Sequence, residues 1–300
     1  MHKETKKIVD SIPEISMSGR IDRFWKQKPF KGKSSKGITS SKKGISNNKT
    51  ADQYSIIKAY KLKGFEYGNY VNNNDRVDKL IATAISMRDL SIVMRSNNIG
   101  LDGTVGVAFG ARGMSNAAAH FEPGTMMINL TKNNGDNSLA HEYGHAIDYF
   151  FGMYIDQNKH YSSLVGGDST SRKLTDNKGG IIRTLANKIV DDIITDKGEL
   201  SESYKILKDK TNSSRYWTSR NEIWARFFEQ YVGYVLTSRK AQNPFLVKKK
   251  YDSYVYLTQK DFMRVKPTMD TFISVISKEM NKNNAKAAPH SISVKKVAKK

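Results

Sequence analysis

The sequence predicts an α+β fold in which short strands come first and helices make up the C-terminal half. Three observations support this prediction. Residues 60–130 combine strand-like segments and Gly-rich turns with one helical pattern at residues 75–96. A second helical pattern follows at residues 138–151, and further helical patterns return after residue 181. With 300 residues, of which 38% are hydrophobic, the chain can bury the core of one large domain.

The predicted elements before that helix follow in order along the chain. The aromatic and glycine mixture of residues 60–71 is typical of a strand with a turn. Residues 75–96 repeat apolar side chains with a helical period. Further strands are predicted at residues 104–109 and 125–130, which are rich in apolar side chains.

The helix predicted at Ser138–Phe151 carries the most informative motif of the chain. It follows a turn at residues 133–138 that supplies an N-cap, and Gly152 is a natural stop. It contains His-Glu-Tyr-Gly-His at residues 141–145. Histidines four residues apart lie one turn above each other on a helix face, so His141 and His145 can both reach one zinc ion.

Glu142 lies beside the first histidine, where a carboxylate can act as general base on a water at the metal. The chain has only six histidines, so this spacing rarely arises by chance. The alternative interpretation is two surface histidines on an amphipathic helix. The motif predicts a zinc-dependent hydrolase in which Glu142 is catalytic and His141 and His145 are metal ligands.

One ligand is missing from this motif, because a catalytic zinc takes three protein ligands and a water. The chain has no cysteine, so disulfides and thiolate ligands are excluded and imidazole and carboxylate remain. The candidates are Asp148, Glu222, Glu229 and His160. Three successive ligands on one straight helix cannot close on one ion. Asp148 is therefore predicted to orient a histidine ring, with ordinary helix solubility as the alternative.

Glu222 is the predicted third ligand. It lies in the first turn of a helix at residues 219–235, whose wide apolar stripe indicates burial. A buried carboxylate needs a partner that offsets its desolvation, and zinc is one such partner. Ser219-x-x-Glu222 is also a capping box, which would tie Glu222 to the backbone of its own helix. Glu229, two turns further along the same side, is the reserve ligand.

The remaining helices are predicted at residues 181–196, 201–210 and 268–281, the last beginning after Pro267 as a packing element. Arg112 and His120 flank the strands before the metal helix, and either can stabilise an oxyanion. Pairing of Arg112 with a buried acid is the open alternative.

Charge is concentrated at the two ends of the chain. The net charge is +21, of which residues 1–50 carry +9 and residues 238–300 carry +11. The middle, residues 51–237, is left at +1. Basic ends predict contacts with nucleic acid or another polyanion, and a solubilising role without a partner is the alternative.

Separate blocks of residues 60–280 together resemble the large polyvalent protein-associated, metallopeptidase-like domains of phages and conjugative elements. They occur in a fixed order and are more specific than the five-residue motif alone. The blocks are GFEYGNYV at 64–71, AFGARG at 108–113, AHFEP at 119–123, INLT at 128–131, SLAHEYGHAID at 138–148 and the segment from Tyr216-Trp217 to Tyr231.

This resemblance implies a zincin-like metallopeptidase of the gluzincin type. The implied fold is a small, twisted, mainly antiparallel sheet packed on the histidine helix. Glu222 matches the position of that class's downstream glutamate ligand. The implied activity is a zinc-dependent endopeptidase acting on a protein or peptide substrate. The alternative function is a virion- or DNA-associated phage protein whose basic ends bind nucleic acid and whose zinc site is structural or vestigial.

Three regions are predicted: a basic N-terminal extension and linker at residues 1–52, a metallopeptidase-like domain at 53–283, and a disordered basic tail at 284–300. The first residues lack the apolar run of a signal peptide, and we find no membrane-spanning run. The host cytoplasm or a phage virion is the expected location, and other virion proteins are further candidate partners.

Overall fold

The computed structural model describes residues 53–68, 73–111, 118–131, 135–156, 163–166, 180–252 and 254–282. The predicted basic extension at residues 1–52 and the tail at 284–300 lie outside these ranges. The described part contains the histidine helix, all the predicted strands in whole or part, and the helical C-terminal half.

The described chain is α+β, as predicted. Its N-terminal half holds three helices and four strands: α1 Gln53–Tyr60, β1 Phe65–Tyr67, α2 Asn73–Met94, β2 Gly106–Phe109, β3 Ala119–Glu122, β4 Met127–Leu130 and α3 Leu139–Asp156. The C-terminal half is helical apart from one small hairpin: α4 Gly180–Ile194, β5 Thr195–Asp196, β6 Glu199–Leu200, α5 Glu202–Lys210, α6 Arg215–Thr218, α7 Arg220–Ser238 and α8 Gln259–Lys282.

The main sheet has the strand order β1-β2-β4-β3 and is mixed rather than mainly antiparallel. The prediction of a mainly antiparallel sheet is therefore wrong. β1 pairs with β2 in parallel, and β2 pairs with β4 in parallel, so only β3 and β4 form an antiparallel pair.

The connections between the strands explain these directions. Helix α2 carries the chain from β1 back to the start of β2, and such a crossover makes neighbouring strands parallel. The short turn at residues 123–126 joins β3 to β4 as a hairpin, which is antiparallel. β4 lies between β3 and β2 and is antiparallel to the first and parallel to the second, so the sheet is mixed.

The sheet packs on α3, as predicted, and presents its antiparallel edge strand to that helix. The rings of Phe121 on β3 and Tyr149 on α3 lie 5.8 Å apart. β2 and β4 are buried along their whole length, whereas β3 is only partly buried. The edge of the sheet therefore lies beside the helix that carries the histidine motif.

Helices α3 and α7 pack closely against each other in the centre of the domain. Their facing side chains belong to one continuous apolar core that also includes α4 and α8. Tyr143 on α3 and Trp224 and Phe228 on α7 are buried there. Burial of such large side chains is the main source of stability for a helix pair in this position.

Two helix boundaries differ most from the prediction. Helix α3 continues past Gly152 to Asp156, because the buried side chains of the core extend the packing beyond the glycine. Helix α8 begins at Gln259, so Pro267 lies inside it rather than at its start. Pro267 and Met263 are both exposed, so the carbonyl that the proline leaves without a helical donor is on the solvent side.

The end of α8, at Lys282, is within one residue of the predicted end, and Asn281 is held there by two hydrogen bonds. Its side chain donates to the carbonyl of Arg95 at 3.1 Å and accepts a hydrogen bond from Ser96 at 2.8 Å. Among the described helices, none has the length and apolar character needed to cross a membrane.

Candidate metal centre

The first turn of α3 is fixed by backbone contacts to the segment after α7. The amides of Asn137 and Ala140 donate to the carbonyls of Phe245 and Leu246, at 3.0 and 2.9 Å. Asn137 has φ 69°, a left-handed conformation that asparagine tolerates better than most residues. This turn directs the chain into the helix, where the imidazole rings of His141 and His145 lie 4.9 Å apart edge to face.

Gly144, between the two histidines, allows α7 to approach α3. A Cβ atom at this position would lie 3.1 Å from Cα of Ala225 and 3.3 Å from Cβ of Phe228. The indole nitrogen of Trp224 donates to the carbonyl of Gly144 at 2.9 Å. The glycine of the motif therefore has a packing role, since it brings the first turn of α7 close to the histidines.

Glu222 completes the cluster from that first turn. Its carboxylate oxygens lie 3.4 Å from Nε2 of His141 and 3.3 Å from Nε2 of His145. One ligand atom from each of the three residues can be chosen so that all lie within 4.8 Å of one another. Three side chains from two helices that are far apart in the sequence thus converge, in the arrangement predicted for a metal site.

The capping alternative for Glu222 is wrong. Ser219 is the N-cap residue of α7, but its side chain makes no capping hydrogen bond and donates instead to the carbonyl of Tyr216 at 2.8 Å. The Glu222 side chain points away from its own helix end and towards the histidines.

The cluster fits a divalent cation. Oε2 of Glu222 is buried and accepts no hydrogen bond, although a buried carboxylate oxygen is normally paired. Two imidazoles and one carboxylate are a donor set that zinc accepts, and three protein ligands leave a position for water. The residues present are therefore able to hold zinc at this point.

The two histidines differ in protonation. Burial lowers the pKa of His141 to about 4, against the opposing effect of Glu222. Burial also acts to lower the pKa of His145, but the carboxylates of Glu222, Glu142 and Asp148 outweigh it and raise that pKa to about 9. Burial opposes ionisation of Glu222 as well, yet the histidines hold its pKa well below the usual range.

Glu142, the predicted general base, is 5% exposed and lies beside the cluster on α3. Burial raises its pKa to about 7, assisted by the nearby charge of Glu222 and opposed by that of His145. The backbone of Phe121 on the edge strand also hydrogen-bonds to its carboxylate. A carboxyl group with a pKa near neutrality can take up and release a proton under ordinary conditions.

Among the described residues, Asp148 hydrogen-bonds no histidine ring. Its Oδ2 accepts from the hydroxyl of Ser163 at 2.7 Å, and its Oδ1 accepts from the amide of Val165 at 3.0 Å. Burial raises its pKa to about 6, despite these hydrogen bonds. Asp148 therefore anchors the segment at residues 163–165 and affects His145 only through its charge.

Glu229, rather than Asp148, lies beside a histidine ring of the cluster. It is buried, and its Oε2 lies 3.8 Å from Nδ1 of His141, on the opposite side of the ring from Glu222. The same oxygen accepts from the hydroxyl of Tyr256 at 2.8 Å, while Oε1 accepts from the amide of Lys248 at 3.3 Å. Glu229 is therefore placed behind a ligand rather than in the ligand set, and the reserve-ligand interpretation is not needed.

A cavity of about 310 Å³ opens in front of the cluster. His141, Glu142, Glu222 and Glu229 line it. The other lining residues are Ala118, Ala119 at the start of β3, Ser138, Tyr216, Trp217, Arg226, Lys248, Asp252, Tyr254, Val255 and Tyr256. We call this cavity the cleft. Its aromatic and charged lining suits a ligand with both apolar and polar groups.

Two residues of the cleft contact Glu222. Arg226, one turn further on α7, is 3% exposed and its NH1 lies 3.6 Å from Oε2 of Glu222. Its other terminal nitrogen donates to the carbonyl of Trp217 at 2.5 Å. Tyr216 is 57% exposed, and its hydroxyl interacts with Glu222. Burial of the hydroxyl, followed by the nearby carboxylates, raises the pKa of Tyr216.

Sequence reasoning did not predict Arg226, Tyr216, Lys248 or Tyr256 as site residues. Arg226 had a signal, because it follows Glu222 by four residues and therefore shares its helix face. Lys248 and Tyr256 come from a segment without a regular pattern, so their position depends on how that segment crosses α7.

Of the remaining candidates, only His120 lies among the residues that the structure describes. Arg112 and His160 lie outside the described residues. His120 is on β3 but is not among the described residues that line the cleft. An oxyanion role for His120 is therefore unsupported.

Comparison with protein families matches residues 208–280 to the family described as Large polyvalent protein-associated domain 1. The match confirms the predicted resemblance to a large polyvalent protein-associated domain. It covers α7, with Glu222 and Glu229, and most of α8, but not the histidine helix. Comparisons with curated proteins and with solved structures give no match.

Proposed function

We propose that this protein is a zinc-dependent endopeptidase with a zincin-like site of the gluzincin type. The observation that carries the proposal is the convergence of His141, His145 and Glu222, with Glu142 beside them. These residues supply the ligand set and the general base that such a site requires.

In this mechanism His141, His145 and Glu222 would hold the ion. When bound, zinc supplies a Lewis acid that polarises a peptide carbonyl and lowers the pKa of water. Glu142 removes a proton from the attacking water and passes it to the leaving amine. The raised pKa of Glu142, about 7, suits a group that both accepts and donates a proton near neutral pH.

Tyr216 is our candidate for stabilising the oxyanion. Tyr216 lines the cleft, and its hydroxyl interacts with the carboxylate of Glu222, which also contacts the two histidines. A hydroxyl donor aimed at the position where negative charge develops lowers the barrier of acyl transfer. For this role we prefer Tyr216 to His120, which is not among the described residues that line the cleft, while the prediction for Arg112 stays open.

The substrate is proposed to be an extended peptide that adds to the edge of the sheet. β3 is the terminal strand in the order β1-β2-β4-β3, and its first residue, Ala119, lines the cleft. A peptide paired with such an edge gains main-chain hydrogen bonds without regard to its sequence. The edge strand thus favours a protein or peptide substrate over a small molecule.

The Glu142→Gln variant tests the proposal. It keeps the size of the side chain and all three ligands, so zinc content and thermal stability should stay near those of the unaltered protein. Cleavage of an unfolded protein such as casein should fall by about 10²–10⁴-fold. Activity equal to that of the unaltered protein would exclude Glu142 as the base.

A second candidate function is a virion- or DNA-associated phage protein in which the zinc site is structural or vestigial. The uneven charge favours it, because 20 of the 21 net positive charges lie outside residues 51–237. Zinc that stabilises the fold without peptide cleavage would support this alternative. Both functions are compatible with residence in the host cytoplasm or in a phage virion, and we propose that the protein is found in one of these two locations.

A further inference from the structure

The segment after α7 carries a concentration of positive charge on the folded domain itself. Between residues 231 and 251 there are five basic residues and no acidic one. They are Arg239, Lys240, Lys248, Lys249 and Lys250, and all five are exposed in the structure. We call this surface the basic face.

Four of the five charges of the basic face have no acidic partner among the described residues, whereas Lys248 is close enough to Glu229 to affect its carboxylate and three cations of the next helix are paired. On α8, Arg264, Lys266 and Lys282 pair with acids of the same helix, at 2.6–2.8 Å. Within the described part of the chain, no ion pair involves Arg239, Lys240, Lys249 or Lys250. Positive charge without an acidic partner is left available for an anion.

Helix-end electrostatics explain only part of this pattern. Arg239 is the C-cap residue of α7 and Lys240 follows it, so both favour the negative end of the helix dipole. The three lysines at 248–250 do not adjoin that helix end in the chain. Their concentration therefore needs another explanation.

Part of the basic face borders a cavity of about 340 Å³. Lys248 and Lys249 line it, along with the polar residues Thr237, Gln242 and Tyr251. The cavity is of the size that small-molecule sites have, and it combines cations with neutral hydrogen-bond donors. Such a combination suits an anionic group that also accepts hydrogen bonds.

We propose that the basic face binds the phosphate backbone of a nucleic acid. Lysine ammonium groups neutralise phosphates as point charges and read no base sequence, so the expected binding is independent of sequence. The basic extensions carry charge of the same sign, and they add to the same attraction. Lys248 lines both this cavity and the cleft, so the bound nucleic acid lies beside the cleft.

The test compares two triple variants of the full chain that lose the same charge. Lys240→Gln/Lys249→Gln/Lys250→Gln neutralises the basic face. Lys197→Gln/Lys205→Gln/Lys210→Gln removes three exposed lysines from the β5–β6 turn and α5. Each set contains one lysine with positive φ, at 56° for Lys240 and 51° for Lys197, so backbone effects are matched.

Binding to a short fluorescent DNA duplex of mixed sequence is measured at a series of salt concentrations, with polyglutamate as competitor. Each lysine that contacts a phosphate contributes about one unit to the slope of log affinity against log salt. The face variant should lower that slope by about 3 and weaken binding at least tenfold, while the α5 variant changes neither.

Equal slopes for the two variants would overturn the proposal. Preferential binding of polyglutamate over DNA, lost in the face variant, would also overturn it and assign the face to an acidic protein. DNA binding requires neither zinc nor cleavage, so the same measurement on the Glu142→Gln variant separates this proposal from the proposed peptidase activity.

Discussion

Oε2 of Glu229 lies 3.8 Å from Nδ1 of His141, while Glu222 lies 3.4 Å from Nε2 of the same ring. The imidazole is therefore held between two carboxylates, of which one faces the cluster and the other is behind it. A carboxylate on the far nitrogen fixes the tautomer and the orientation of a ligating histidine.

The Glu229→Gln variant should bind zinc about 10–100-fold more weakly, because Gln removes the charge that orients His141. Zinc affinity is measured by competition with a chromogenic chelator, and the melting temperature of the zinc-free protein reports on folding. Asp252→Asn is the matched control, since Asp252 lines the same cleft and forms no ion pair with His141 in the described structure. Equal zinc affinity in the Glu229 and Asp252 variants would contradict the orienting role.

Zinc binding should release about one proton near neutral pH. The pKa of His145 is raised to about 9, so this imidazole is protonated at pH 7 and must lose its proton before it coordinates. The apparent affinity should therefore rise with pH up to about 9 and then level off. Calorimetry in buffers of different ionisation enthalpy counts the released protons, and a pH-independent affinity would show that His145 is already neutral.

The Gly144→Val variant should lose zinc by separating α3 from α7. A Cβ atom added at this position would lie 3.1 Å from Cα of Ala225, and the two methyl groups of valine would increase the crowding. The expected loss of stability is about 1–3 kcal/mol, measured by denaturant unfolding of the zinc-free protein. Zinc affinity should fall as well, and Gly144→Ala should show a smaller change in both. Unchanged stability in both variants would mean that the helices do not need this close approach.

Tyr216→Phe should lower kcat by about 10–10³-fold while KM stays nearly constant, because the hydrogen bond to the oxyanion forms only in the transition state. The variant also loses the contact of the hydroxyl with Glu222, so its zinc content is measured alongside kcat. Tyr254→Phe is the control, as Tyr254 lines the same cleft and is also exposed. Both variants are assayed on the same peptide. If Tyr254→Phe has the same effect as Tyr216→Phe, the hydroxyl of Tyr216 has no special role.

The sequence predicted the cluster of His141, His145 and Glu222 because the signals that point to each residue are local. Two histidines at helical spacing determine their shared face, and an apolar stripe around Glu222 implies that its carboxylate is buried with a partner. The packing role of Gly144 was not predicted, since it depends on the distance between α3 and a helix about eighty residues further along the chain.

Strand direction and the ring-orienting carboxylate could not be predicted in the same way. The strands at 104–109 and 125–130 are compatible with either direction until the crossover through α2 and the hairpin from β3 are known. Asp148 and Glu229 are both carboxylates near a histidine. Which of them faces a ring depends on their hydrogen-bond partners. Ser163 and Val165 donate to the carboxylate of Asp148, and Tyr256 and Lys248 donate to that of Glu229.

The most direct test is anomalous diffraction at the zinc absorption edge from a crystal of the zinc-loaded protein. The predicted result is one peak at about 2.0–2.2 Å from Nε2 of His141, Nε2 of His145 and a carboxylate oxygen of Glu222. Glu142 should lie beside the peak without coordinating it. A peak that Glu222 does not contact, or no peak between the two histidines, would contradict the proposed site.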